Sequence, residues 1–174
     1  MKRAVLLMLA LAGVSSLAIG GCVVRARAPG VAVVAPAQVA LGGPPNYGYV
    51  QLNQGFMPDP AMAQGQAGGN LNSRNMVNPG CRGWITSTPD HVLTTQTGFQ
   101  FFRVFVRANA DTTLIIRRPD GQYMCNDDGG QGLNPMVQNN FWPPGEYQIW
   151  VGSYSQRATG APHQIFFTEL PGVM

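Results

Sequence analysis

The chain has 174 residues, a formal charge of +3 and two histidines. The charge is concentrated at one end. Without Lys2 and Arg3 the remainder carries +1, and residues 79–174 hold six arginines against seven acids. No basic patch is left for a phosphate backbone, which excludes nucleic acid as a partner.

Met1-Lys2-Arg3 opens the chain, followed by an apolar run from Ala4 to Leu11 that small residues extend to Ile19. This stretch of 16 residues is shorter than the roughly 20 that cross a bilayer. A charged start, a short apolar middle and a Gly20-Gly21 exit make residues 1–21 a secretory signal. The exit, Leu17-Ala18-Ile19-Gly20-Gly21-Cys22, resembles the lipobox of bacterial lipoproteins. The resemblance implies cleavage before Cys22 and a lipid anchor on its sulfur. Acyl chains hold a membrane by burying methylenes at about 0.8 kcal/mol each. Val23 follows the cysteine in place of aspartate, and by the same resemblance this implies the outer membrane or the cell surface.

An exported chain meets an oxidising compartment. With Cys22 lipidated, Cys81 and Cys125 remain as an even pair, and a disulfide is expected between them. It would close a loop of about 45 residues and stabilise the fold by roughly 2–4 kcal/mol. There is no CxxC spacing and both histidines are distant in sequence, so a structural metal site is the poorer reading.

Residues 22–78 read as the anchor cysteine and a flexible linker. The segment is rich in Ala, Gly, Pro, Gln and Asn, with few charges and three aromatics, Tyr47, Tyr49 and Phe56. Such a composition does not repay its ordering entropy by burial. Tyr47 to Leu52 is the one piece that could form a short strand. Composition changes at Pro79-Gly80-Cys81, and residues 79–174 are expected to form one small domain.

The pattern in that domain is strand throughout. In Gln100–Ala108, Phe102, Val104, Val106 and Ala108 share one face, while Phe101, Arg103, Phe105 and Arg107 share the other. Thr112–Arg118 is a second strand with Leu114 and Ile116 inward. Pro119-Asp120-Gly121 makes a tight turn into a third at Gln122–Cys125. Met136–Phe141 is a weak strand. Glu146–Ser153 is a strong one with Tyr147, Ile149 and Val151 on one face, and His163–Leu170 is the last. Thr88-Pro89-Asp90-His91 reads as a turn ahead of them. The expected fold is all-β, a small antiparallel β-sandwich of jelly-roll type.

Four pieces in order carry a family resemblance. They are Asp111-Thr112-Thr113-Leu114, Pro119-Asp120-Gly121, Cys125-Asn126-Asp127-Asp128 and Pro144-Gly145-Glu146-Tyr147. Together they resemble the bacterial pre-peptidase C-terminal (PPC) domain, over roughly Gly98 to Leu170. The resemblance implies a β-sandwich that accompanies secreted enzymes and aids secretion, folding or attachment, and is not itself catalytic. Some relatives bind calcium or insoluble matrix. No protease-like sequence accompanies the domain within these residues, so the link to proteolysis transfers poorly.

Three sets of residues could carry chemistry. Asn126, Asp127, Asp128 and Asn134, with Asp111 and Asp120 at strand ends, offer oxygens for Ca2+ in a glycine-rich loop. The alternative is that these side chains accept backbone N–H bonds and fix the loop. Trp142, ahead of Pro143-Pro144, could form an exposed binding patch with Tyr154. His91 or His163 with Ser153 or Ser155 could in principle serve hydrolysis, but no nucleophile elbow is present. The leading expectation is a non-catalytic envelope lipoprotein with an adhesion or assembly module. Its partners would be the membrane, through the N-terminal lipid, and an extracellular polysaccharide or envelope protein. The alternatives are a calcium-dependent binding domain and a secreted hydrolase.

Overall fold

A computed structural model of the protein describes residues 39–174. The signal and Cys22 lie outside the described residues. Among the described residues eleven strands form two sheets: β1 (Tyr49–Gln51), β2 (Ala61–Ala67), β3 (Leu71–Asn72), β4 (Trp84–Ile85), β5 (His91–Thr95), β6 (Phe102–Ala108), β7 (Thr112–Arg117), β8 (Tyr123–Asn126), β9 (Met136–Asn139), β10 (Gly145–Ser153) and β11 (Ala161–Thr168). A single helical turn, α1 (Ser73–Met76), joins β3 to β4. Among the described residues no helix is long and apolar enough to cross a membrane.

The first sheet is built on β10. One edge of β10 pairs with β5 along Gly145–Ile149 and then with β4 at Ser153. The other edge pairs with β7 along Gln148–Ser153, and β7 continues to β8. β1 extends the sheet parallel to β5, and β3 pairs with β4. The second sheet runs β2-β11-β6-β9 and is antiparallel throughout. Their inner faces meet in one core that includes Leu93, Phe102, Val104, Leu114, Ile116, Tyr147, Ile149, Ile165 and Phe167. The alternation of apolar and polar residues in β6, β7 and β10 therefore faces the way the sequence implies.

Two expectations are corrected here. Residues 39–78 are not a linker. β2 pairs with β11 over seven residues, and without it β11 would be an unpaired edge. The inward positions of β2 are Ala61, Ala63, Gly65 and Ala67, which are small, and this hides a period-two pattern behind a linker-like composition. The segment around Tyr47–Leu52 does form a strand, β1. The second correction concerns Thr88–His91, since His91 opens a buried strand and only the residues before it turn.

The outer face of the first sheet has its own core. Trp150, Ile115 and Cys125 lie side by side across β10, β7 and β8. Cys81 is bonded to Cys125 with a Cα–Cα distance of 5.3 Å. Leu41, Leu71, Val77 and Tyr123 pack around them. The disulfide thus ties the segment between α1 and β4 onto β8.

Two outcomes test this architecture. The double variant Cys81→Ala/Cys125→Ala should lose about 2–4 kcal/mol in urea unfolding. A fragment comprising residues 79–174, which lacks β1, β2 and β3, should show no cooperative melting by circular dichroism while the full chain does.

Candidate functional site

The acidic loop is organised by its asparagines. Asn126 Oδ1 accepts from Gly129 N at 2.6 Å and from Met136 N at 3.0 Å. Asn134 Oδ1 accepts from Ala108 N and Thr112 Oγ1, and its Nδ2 donates to Ala108 O and Gln131 O. These side chains substitute for missing backbone partners where β6, β7 and β8 end, as Asx residues do in turns.

Of the six residues expected to share a cation, Asp120 lies apart from the others. Asp120 sits in the β7–β8 turn, where it accepts from Gln122 N and lies 3.6 Å from Arg118. Asp111 precedes the opposite end of β7, a strand of six residues or roughly 20 Å at about 3.3 Å per residue. Asp127 pairs with Arg82 at 3.7 Å. Asp111, Asp127 and Asp128 stay in electrostatic range of one another beyond the other end of β7. Burial raises the Asp111 pKa, with smaller contributions from the Asp128 and Asp127 charges. Among the described residues no group of three His, Cys, Asp or Glu side chains is arranged to hold a metal ion.

The expected Trp142–Tyr154 surface is also corrected. Trp142 is 1% exposed. Its backbone exchanges two hydrogen bonds with Phe99, of 2.8 and 3.0 Å, which turns the indole inward. There it meets Phe102 edge-on at 5.2 Å and Tyr147 at 4.9 Å. Tyr154 is exposed elsewhere, its hydroxyl accepting from Arg82.

The hydrolase residues are not assembled either. Ser153 Oγ lies 3.2 Å from Thr159 Oγ1, and Ser155 Oγ accepts from Arg157 N to cap a short 3-10 turn. The histidines face each other across the sandwich, His91 from β5 and His163 from β11, with ring centroids 5.8 Å apart and edge to face. Tyr47 covers the pair, its ring 5.9 Å from His91 and 6.3 Å from His163. Both histidines are fully buried, and among the described residues none of their four ring nitrogens has a hydrogen-bond partner. Burial lowers both pKa values to about 4, with the His91 charge adding to the effect at His163. Both rings are therefore neutral at neutral pH.

Asp90, beside His91, has a structural task. It sits where the β10 edge passes from β5 to β4. Its backbone N–H donates to Ile149 O, and its Oδ2 accepts from Val151 N at 2.7 Å. Asn46 donates to the other oxygen at 3.0 Å. Burial pushes the Asp90 pKa up to about 7, while these two donors pull the other way.

A surface that the sequence reading did not single out lies on the outer face of the second sheet. Gln64, Gln164 and Arg107 are aligned across β2, β11 and β6, and Met62, Phe166 and Phe105 form the adjacent row. Phe105 and Phe166 stack at 5.0 Å, with the Arg107 guanidinium 5.1 Å from the centre of Phe166. The polar row borders a groove of about 480 Å³ that Asn109, Gln131 and His163 also line. Alternation in β6 had marked Arg107 and Phe105 as outward. The partner row on β2 was invisible while that segment read as linker.

No family model matches the chain. An uncharacterized protein of Synechococcus elongatus is 27% identical over 135 residues, covering 78% of this chain and 89% of that protein. Two solved structures are similar in outline. The pre-peptidase C-terminal domain of a Bacillus anthracis collagenase has a TM-score of 0.42 at 11% identity, over 69% of this chain and 94% of that one. PliG from Aeromonas hydrophila, a periplasmic inhibitor of g-type lysozyme, has a TM-score of 0.41 at 15% identity, over 69% and 96%. Likenesses this distant assign no activity.

The crowding around the histidines gives a direct test of their packing. A Cβ at Gly65 would lie 2.5 Å from Tyr47 Cδ2 and 2.9 Å from His163 Cε1. Gly65→Ala should therefore destabilise the protein by about 1–3 kcal/mol, read from the urea midpoint, because the ring cluster has to shift.

Proposed function

We propose that this protein is an exported module of the cell envelope, anchored through a lipid on Cys22, that acts by binding and not by catalysis. Its ligand is an envelope polysaccharide. The observation that carries this reading is the paired rows on the second sheet: amides and a guanidinium from Gln64, Gln164 and Arg107 beside an apolar strip of Met62 and Phe166, with Phe105 buried next to it. Sugars present hydroxyls at their edges and C–H surfaces on their faces. A ligand site for them combines apolar contact with a few placed polar groups. The β6, β11 and β2 strands hold both rows on rigid backbone, so little ordering is needed when a ligand docks. The side chains of Ser153 and Ser155 are occupied in local structure, which leaves the hydrolase reading without a nucleophile–base pair.

The resemblance to PPC domains supports an accessory role, and the apolar run followed by Cys22 supports export.

Co-sedimentation of the full chain with purified envelope polysaccharide and peptidoglycan tests the proposal. Binding should occur and should weaken about tenfold or more in the variant Gln64→Ala/Gln164→Ala, which removes two polar anchors of roughly 1 kcal/mol each. Absence of binding to every envelope glycan, or binding that the variant leaves unchanged, rejects it.

A further inference from the structure

We propose, resting on the polysaccharide reading of this face, that Pro171–Met174 is a displaceable strap and that an acidic polysaccharide takes its place on the second sheet. Arg103, Phe105 and Arg107 form the outward row of β6. An outward row is ordinarily wet, yet Phe105 is 2% exposed and Arg103 9%. The chain beyond β11, together with Phe166, accounts for this. After β11 the chain turns, with Val173 N donating to Leu170 O, and comes back over β6. Arg103 Nη1 donates to Val173 O, and Arg107 Nη2 donates to Met174 O at 2.6 Å. Two consecutive main-chain oxygens are thus held by arginines on either side of Phe105, and the peptide between them crosses that ring.

The strap is lightly held. Leu170, Pro171, Gly172 and Met174 are exposed, and only Val173 is half-buried. A segment with few buried contacts opens at low cost. Beneath it lie two cations that meet no acidic side chain. Among the described residues the ion pairs use Arg82 and Arg118. Arg103 bonds instead to Gln138 Oε1, and Glu169, the acid nearest the strap in sequence, accepts from Gly55 N at 2.7 Å. A guanidinium gains most from a carboxylate, which accepts two parallel N–H bonds. Sugars that carry carboxylates supply that partner. Their C–H faces suit the rings of Phe101, Phe105 and Phe166, over which the two guanidinium groups lie. A neutral glycan brings only hydroxyls, which are no better acceptors than the main-chain oxygens they would replace.

Calorimetric titration of the full chain with polygalacturonate and with neutral dextran tests this. The acidic polymer should bind more tightly than dextran. Added salt should weaken it, because exposed charges are screened beyond about 8 Å at physiological ionic strength. Ending the chain at Leu170 should tighten polygalacturonate binding by about threefold or more, since apparent affinity scales with the fraction of open sites. Val173→Gly, which keeps the length and removes the half-buried side chain, should act in the same direction. Arg103→Gln, at a position outside the Gln64–Gln164–Arg107 row, should weaken binding by about tenfold. Independently of any glycan, the Nε–H resonances of Arg103 and Arg107 should move when residues 171–174 are removed. Equal affinity of the full and shortened chains for polygalacturonate, or arginine resonances that stay fixed, would overturn the strap. Dextran binding as tight as polygalacturonate overturns the acidic ligand and leaves the polysaccharide reading standing. Binding of no glycan by either chain rejects both.

Discussion

The architecture turns on the side of β10 that changes partner at Val151. A strand edge left open in the interior would strand its N–H and C=O groups, each costing about 1–3 kcal/mol. Asp90 Oδ2 takes the Val151 N–H, and Gly68 N donates to the Val151 carbonyl. A side chain and a backbone group from different parts of the chain thus stand in for one missing strand residue. Asn46, in the segment before β1, fixes the second oxygen of Asp90. Through this carboxylate the N-terminal part of the described chain, β5 and β10 are locked together.

A covalent bond and a second apolar cluster serve the outer face of the same sheet. The inner core between the sheets accounts for one face of β10 and β7. Trp150 and Ile115 point the other way and would otherwise be exposed. The Cys81–Cys125 bridge, with Leu41, Leu71 and Val77, closes over them. The first sheet is consequently buried on both faces around β10, whereas the second sheet exposes Met62, Gln64 and Gln164 on its outer face while β6 stays buried through Val106. Arg103 and Arg107 lie over the aromatic rings there, their stems covering apolar surface while the guanidinium groups reach polar atoms, as in the bond from Arg107 to Met174 O.

The polar residues of the acidic loop and of the histidine pair have contrasting roles. Asn126 and Asn134 bond mainly to backbone groups and fix the loop that links β8 to β9. His91 and His163 are more deeply buried and bond to no protein group among the described residues. The first arrangement is what a structural polar network requires. The second is held by ring packing instead, with Tyr47 against both imidazoles.

Large inward side chains made much of the fold legible in sequence. Phe102, Val104, Leu114, Ile116, Tyr147 and Ile149 alternate with polar residues, and a period of two in bulky residues has one structural meaning. The cysteine count and the N-terminal segment were enough to lead to the Cys81–Cys125 pair. Tertiary structure decided what small residues conceal. β2 alternates alanine and glycine with Met and Gln, and the pattern acquires its meaning only when β11, Tyr47 and His163 are packed against it. Trp142 showed the converse. Its position before two prolines looks like a loop, but the backbone pair with Phe99 turns its ring into the core. The candidate sites followed the same rule, because Gln64 meets Gln164, and His91 meets His163, only through strand pairings and sheet packing that join distant parts of the chain.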